Sequence, residues 1–462
     1  MTAFGQGKKP NVLFIVADDM GAWTLGSSKN ANSFTPVLDK LAEQGALFTN
    51  AFSVSVVCSP SRAALISGRY PSESNVLDII PQESKNGLDT SLILWPELLK
   101  DSGYKTALVG KWHLGEAPEA FPENRGYSKF SGFLHGGLLS KEPILRLEGK
   151  DTVFTNKYTP DVLADLTMGY IDEFEDKPWA ISLHFWAPHA NTRFPKGFSP
   201  PYDDRSWLPM QDQDMEYWRH LKLELPEPDF PNLNIERTER MMREYLSSVY
   251  SVDRNVGRIL DYLQELGLNK NTIVIFTSDH GYMMGHHGLW HKGNGRWLTY
   301  DEKEPSGIYI DNRPNMYDNS LRVPFIVKWP EKIKSGTRIS ETVTLLDCFP
   351  TLLEMTGIEQ PTDLILSGKS FMPLLSDART TDWDNTFYGQ YKSLRCIQTR
   401  EWKFIIDNDN FVRNELYHLL NDPNEQNNLI NSRLSFVLEN KNKLQKQLFE
   451  KMKEIGDFLS TE

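Results

Sequence analysis

The chain has 462 residues, of which 39% are hydrophobic and 24% charged, enough apolar material for a large core. Its formal net charge of −12 argues against a general nucleic-acid binder, because neutralising phosphates needs a basic surface. No apolar run reaches bilayer-spanning length, so no membrane partner is expected, and the three cysteines (Cys58, Cys348, Cys396) are too few for a disulfide framework.

Residues 1–10 are polar and read as a leader- or tag-like segment without the apolar stretch of a signal peptide. Residues 11–19, NVLFIVADD, form an apolar run closing on two acids, the pattern of a strand buried on both faces. Thr35-Pro36 then opens a helix, with Thr35 as its cap, Pro36 in the first turn, and Val37, Leu38 and Leu41 at helical spacing. Residues 92–101 read as helix, 104–110 as strand, 161–174 as helix and 179–186 as strand. A long helix follows at 237–266, then strands at 272–277 and 323–328. This alternation predicts an α/β fold, a large and mostly parallel sheet sandwiched by helices.

Two stretches interrupt it: 191–231, rich in Pro and aromatics, and 293–320, rich in Gly, Asp and Asn. Both are expected to be ordered loops shaping a pocket. Beyond residue 368 the pattern changes to short strands (393–407 and 415–419) and a polar helix from 433, predicting a small C-terminal α+β subdomain of antiparallel sheet. The expected organisation is therefore a leader at 1–10, a catalytic domain at 11–368 and a C-terminal subdomain at 369–462.

In open α/β sheets functional groups gather at the carboxyl ends of strands. Asp18-Asp19, Gly110-Lys111, Pro188-His189 and Asp279-His280 each stand where a predicted strand stops. Cys348 and Cys396 lie in apolar stretches and read as buried packing. Cys58 differs, because it opens Cys58-Ser59-Pro60-Ser61-Arg62 at a helix start. A thiol there, with Arg62 one turn on, could have a depressed pKa and act as a nucleophile. An isolated Cys-Ser-Pro would instead read as a capped helix start holding a chance cysteine.

The full string resembles the sulfatase signature Cys-x-Pro-Ser-Arg. The similarity continues through NVLFIVADDMG, TPVLDKLAEQGALFTNAF, GKWHLG, WAPH, TSDHG and VPFIVKWP, and ends with ELYHLLNDPNEQNNL. Two positions depart from the commoner pattern: Ser67 stands for Thr and His280 for Asn, the latter resembling the subgroup that contains iduronate-2-sulfatase.

The resemblance implies that a maturation enzyme oxidises Cys58 to formylglycine. It further implies that Asp18, Asp19, Asp279 and His280, with the modified Cys58, hold a divalent cation, Ca²⁺ in most of the family. His280 is softer than calcium prefers, which leaves Mg²⁺ and Mn²⁺ open. Lys111 and His113 are assigned to the sulfate pocket, and alternation along an extended segment would point both to one side. As the resemblance has it, the hydrated aldehyde attacks sulfur while Arg62 and Lys111 stabilise the growing charge. His189 protonates the departing alcohol, Lys292 holds an ester oxygen, and His113 serves as the base that lets sulfate leave. His286, His287 and His291 read as loop structure or subsite.

Loop composition and the subgroup resemblance point to a sulfated carbohydrate as substrate, a glycosaminoglycan or algal oligosaccharide attacked from its end. Trp207, Tyr217, Trp218 and Trp297 would suit a sugar face, and His135, Arg193 and Arg296 are the candidate subsite residues. The alternatives are an aryl or choline sulfatase and a phosphonate or phosphodiester hydrolase of the same superfamily. The family's compartments are periplasmic, secreted or lysosomal; the oligomeric state is not legible.

Overall fold

Alternate residues of β1 (Asn11–Ala17) enter two separate cores: Leu13, Ile15 and Ala17 one, Val12, Phe14 and Val16 the other. A strand apolar on both sides needs helices over both faces of its sheet. Pro36–Glu43, Thr159–Glu173 and Ile235–Glu265 close the first core, and Cys58–Ser67, Trp95–Asp101 and Cys348–Thr356 close the second. The computed structural model describes residues 8–84, 86–192, 205–300, 312–376 and 382–457.

The other strands of the main sheet are β2 (Ala46–Phe48), β4 (Lys105–Lys111), β5 (Lys129–Phe133), β6 (Ile144–Leu147), β7 (Lys150–Val153), β8 (Trp179–His184), β9 (Thr272–Ser278), β10 (Phe325–Lys328) and β11 (Thr337–Ile339). They run in the order β11-β2-β10-β9-β1-β8-β4-β5-β6-β7. The central five, β9, β1, β8, β4 and β5, are parallel, so their carboxyl ends form one edge. β10 is antiparallel to both neighbours, which makes the sheet mixed, though mostly parallel. A short pair, β3 (Ala51–Phe52) with β12 (Val343–Thr344), lies apart.

The C-terminal part is an antiparallel sheet of β13 (Phe387–Tyr391), β14 (Leu394–Gln398), β15 (Trp402–Asp407) and β16 (Glu415–His418), packed by the helix Ser435–Glu454. Lys403 of β15 joins it to the rest, with Nζ 2.9 Å from Asp318 Oδ1 and 2.6 Å from Glu425 Oε1. Cys348 and Cys396 are buried in packing, as expected. Among the described residues, no helix is long and apolar enough to cross a membrane.

Three local expectations change. Thr35 does not cap the helix after it; its hydroxyl accepts from Gly26 N, and Asp253 accepts from Val37 N and Leu38 N instead. A carboxylate from the neighbouring helix reaches the orphan N–H groups that a local cap would otherwise take. The stretch 191–231 is not irregular throughout but contains the helix Asp212–Arg219, held by Arg254 on Asp214 (2.7 Å) and by burial of Trp218. Trp207 and Trp218 are core residues rather than a sugar platform, their indole N–H groups donating to Pro188 O and Asn32 O. Tyr217 is exposed and stacks on Phe34, and Trp297 lies against Phe230.

Candidate active site

The parallel edge brings the strand-end residues together. β1 ends at Asp18-Asp19, β4 at Lys111, and β9 at Asp279-His280, while His189 follows β8 after the cis Ala187-Pro188 bond. The helix Cys58–Ser67 enters the same edge with Cys58 in its first turn and Arg62 one turn on. Its unpaired N-terminal N–H groups make that end favourable to negative charge. Asp18, Asp19, Cys58, Arg62, Lys111, His113, His189, Asp279, His280 and Lys292 are all buried.

The signature residues each have a local task. Ser61 Oγ donates to the Asp279 carbonyl and so ties the helix to the end of β9. Arg62 Nε meets Asp279 Oδ2 at 3.0 Å and Nη1 donates to Lys111 O at 3.1 Å, while Nη2 has no hydrogen-bond partner among the described residues. Ser59 Oγ accepts from Ile80 N, fixing the loop that crosses above.

Cations and acids interlock around Cys58. Lys111 Nζ lies 2.6 Å from Asp18 Oδ2, and Lys292 Nζ lies 2.5 Å from Asp19 Oδ1 and 3.0 Å from Cys58 Sγ. Burial alone would raise Asp18, but Lys111, His189, Arg62 and Lys292 outweigh it and hold this carboxyl well below the usual range. For Asp19 burial wins over Lys292 and His280, with Asp18 and Cys58 adding to it, and the pKa is pushed up to about 7. Burial, then the Asp18 charge, also pushes the Cys58 thiol up. A depressed thiol pKa is therefore not what this setting provides: a fully buried helix start beside a carboxylate disfavours the thiolate.

The ligand-type atoms of Asp18, Cys58, Asp279 and His280 all lie within 4.8 Å of one another. His280 Nδ1 is 2.8 Å from Gly281 O, so it carries the proton in the neutral ring and Nε2 presents a lone pair inward. That Nε2 is 3.1 Å from Asp19 Oδ1 and 3.5 Å from Cys58 Sγ, and Asp19 Oδ2 is a buried acceptor with no hydrogen bond among the described residues. Two carboxylates and one correctly oriented imidazole around position 58, with Asp19 alongside, fit a divalent cation.

His189 Nδ1 donates to Ala190 O, leaving Nε2 3.7 Å from Asp19 Oδ2; burial and then Lys292 hold its pKa well below the ordinary value. His113 has φ 60°, so the alternation of β4 stops at Lys111 and does not align the two side chains. His113 still joins the cluster: burial, Lys111 and Arg62 keep it neutral, Nε2 donates to Ile80 O at 3.1 Å, and Nδ1 has no partner among the described residues. Of the subsite candidates, His135 follows β5 with its ring 5.6 Å from Phe133, beside Gly136, which packs on the His113 ring. Arg296 neighbours His291 and lowers its pKa, after burial, Lys292 and Arg205. Arg193 lies outside the described residues. His286, His287 and His291 are held by loop contacts, to Met283 O, the Tyr317 ring and Asn294 respectively.

Two participants carry no motif. His184, the last residue of β8, sits with Nδ1 3.0 Å from Lys111 O and 3.3 Å from Arg62 Nη1, its pKa driven to about 3 by burial and Arg62. Tyr245, in the middle of the helix Ile235–Glu265, donates to Asp19 O (2.8 Å) and accepts from Gly21 N (3.2 Å). It thereby spans the turn in which Asp19 adopts φ 72°, a conformation uncommon outside glycine. The signal available in sequence is an apolar helix face, which gives no hint of a strand-end partner.

Comparison with known proteins agrees with this geometry. The sulfatase family model matches residues 10–358, and a model described as N-sulphoglucosamine sulphohydrolase, C-terminal, matches residues 307–456. The N-acetylglucosamine-6-O-sulfatase of Bacteroides thetaiotaomicron is 28% identical, over 91% of this chain and 83% of its own length. Human steryl-sulfatase is 29% identical, over 83% of this chain and 72% of its own. A solved structure holding D-glucosamine-2-N,6-O-disulfate superposes with a TM-score of 0.76 at 25% identity, covering 97% of this chain and 99% of that one. A phosphonate monoester hydrolase of Agrobacterium radiobacter, with TM-score 0.68 and 20% identity, covers 97% of this chain and 96% of its own and shares the fold alone. With its signature helix set among the strand-end acids and cations, this chain belongs to the sulfatase family and is a sulfuric ester hydrolase.

Proposed function

We propose that the enzyme removes sulfate from a sulfated carbohydrate, using a nucleophile made from Cys58 and a divalent cation held by Asp18, Asp19, Asp279 and His280. The observation that carries this reading is the convergence of ligand atoms of Asp18, Asp279 and His280 with Cys58, among buried cations, with Asp19 Oδ1 3.1 Å from His280 Nε2. Oxidised to formylglycine and hydrated, position 58 would supply an oxygen nucleophile in place of the Sγ now seen there. The cation, Ca²⁺ by preference for oxygen ligands, would supply positive charge to the sulfate oxygens and to that nucleophile.

The electrostatics support a need for the ion. Asp18, Asp19 and Asp279 are matched by Arg62, Lys111 and Lys292, so the side chains alone offer little net attraction for an anionic ester. Arg62, whose Nη2 makes no hydrogen bond among the described residues and lies 3.9 Å from Asp18 Oδ1, and Lys111 would bear on the sulfate oxygens as charge grows. Lys292, kept charged by Asp19, would hold an ester oxygen. His189 would take a proton when the sulfate ester sits beside its Nε2, since that anion offsets the burial now depressing it, and would pass the proton to the leaving alcohol. His113, neutral with its Nδ1 lone pair uncommitted, is the base for the step that releases sulfate.

The carbohydrate assignment draws on the hexosamine-6-sulfatases among the relatives and on the disulfated glucosamine held by a structural neighbour. Residues 1–10 as leader, 11–368 as catalytic domain and 369–462 as subdomain remain our proposed division. Mass spectrometry of the Cys58 peptide, from protein made in its native host, tests the nucleophile: an aldehyde is expected and an intact thiol overturns the mechanism. A panel of sulfated mono- and disaccharides, set against aryl, choline and steryl sulfates and a phosphonate ester, tests the substrate. Turnover confined to the non-carbohydrate esters would overturn the carbohydrate assignment.

A further inference from the structure

A cavity of about 600 Å³ lies on the same edge of the sheet but is lined by none of the residues discussed as catalytic. It is bounded by the loop 22–30, by Thr49 after β2 and by Arg322–Pro324 before β10. Because β10 is antiparallel to β9, with Phe325 opposite Thr277, its start stands beside the carboxyl end that carries Asp279. The loop 22–30 likewise begins just beyond Asp19.

The lining is cationic in a chain whose net charge is −12. Lys29, Arg322 and Arg338 face the cavity, and among the described lining residues Asp318 is the one carboxylate. Asp318 is already engaged by Lys403 at 2.9 Å and by Arg322 at 2.7 Å. Arg322 is further oriented by lying 5.3 Å over the Phe52 ring. Around these cations stand neutral hydrogen-bonding groups, including Ser27, Asn30 and Asn319, and the half-buried Trp23, whose ring is 5.2 Å from His286. One oriented and two exposed cations, with amides, hydroxyls and an aromatic face in a cavity of this volume, are a donor set for an anionic sugar of about disaccharide size.

We propose that this cleft is an accessory site for an anionic oligosaccharide segment, holding a distal part of a sulfated glycan whose end is processed at Cys58. The link to Cys58 rests on the carbohydrate reading above; the site itself does not. Local positive potential on an acidic protein raises the concentration of such a chain near the edge and favours its retention.

The test uses the full-length Cys58→Ala protein and a heparin-derived octasaccharide, with binding measured by calorimetry. The double variant Lys29→Glu/Arg338→Glu, both positions being exposed, is expected to bind at least about tenfold more weakly. In the active enzyme the same pair raises KM for that octasaccharide and leaves turnover of 4-methylumbelliferyl sulfate unchanged. Octasaccharide affinity equal in parent and double variant would overturn the site. Equal affinity of the parent for inorganic tripolyphosphate would overturn its assignment to carbohydrate. If the double variant loses octasaccharide binding but the active enzyme desulfates no carbohydrate, the substrate reading falls and the binding site stands.

Discussion

Lys292 and Asp19 form a fully buried ion pair, Nζ to Oδ1 at 2.5 Å, joining a loop to the end of the first strand. The same ammonium reaches Cys58 Sγ at 3.0 Å, so one side chain pairs with a ligand-type carboxylate and touches the position proposed as nucleophile. Burial pushes Asp19 up to about 7 even with Lys292 present, and Lys292 is the largest influence opposing its protonation. Lys292→Ala should therefore lower kcat/KM by about 10²- to 10³-fold, the scale of losing one preorganised donor. Lys292→Arg should recover only part, because a planar fork does not replace a point charge. Steady-state kinetics on one sulfate ester compares the three proteins, and an alanine variant as active as the parent would refute the role.

Metal removal should show in stability as well as in rate. Chelation is expected to abolish turnover, and Ca²⁺ at a hundredfold excess over its Kd should raise the unfolding free energy by about 2.7 kcal/mol. Asp279→Asn and His280→Ala should lose that increment. Denaturant unfolding with EDTA or Ca²⁺ makes the measurement, and an identical increment in these variants would exclude the proposed ligand set.

Tyr245→Phe removes the hydroxyl that bridges Asp19 O and Gly21 N. Two buried backbone groups are left without a partner, a loss of about 1–3 kcal/mol for an unsatisfied group of this kind. Because the turn they define presents Asp19, Ca²⁺ affinity should also fall, by about 10-fold or more. Calorimetric titration with Ca²⁺ separates this positioning role from a purely structural one, which would leave the affinity unchanged.

Lys403 holds Asp318 and Glu425 together beneath the C-terminal sheet. Lys403→Met leaves two buried acids facing each other without their cation, a change that should destabilise by about 3–5 kcal/mol. Burial, opposed by Lys403, raises Glu425 from 4.5 to about 7. A raised folded-state pKa binds a proton more tightly than the unfolded chain does. Its contribution is therefore complete below 4.5 and is lost as pH rises through about 7. Glu425→Gln should flatten the stability profile across that window, as denaturant unfolding at successive pH values would record. A slope unchanged from the parent would contradict the assignment.

The parallel edge explains why so much of this protein is legible in its sequence. Val12 to Ala17 are apolar on both faces, so only a covered, mostly parallel sheet can bury them, and parallel strands bring Asp18, Lys111 and Asp279 to one edge. Cys58, Pro60, Ser61 and Arg62 are near neighbours in the chain, so their motif is visible as a string.

Contacts between sequence-distant elements are not visible in that way, because no local pattern encodes them. Asp253 caps a helix some two hundred residues away, Tyr245 pins Asp19 from an otherwise apolar face, and His184 braces Arg62 from the end of a buried strand. The tertiary structure also decided protonation. In sequence, Cys58 next to a helix start and an arginine suggests an easily ionised thiol; burial beside Asp18 pushes it the other way. Residue order determined which groups stand at the edge of the sheet. Packing, which sets distance, exclusion of water and the charges within reach, determined what state those groups are in.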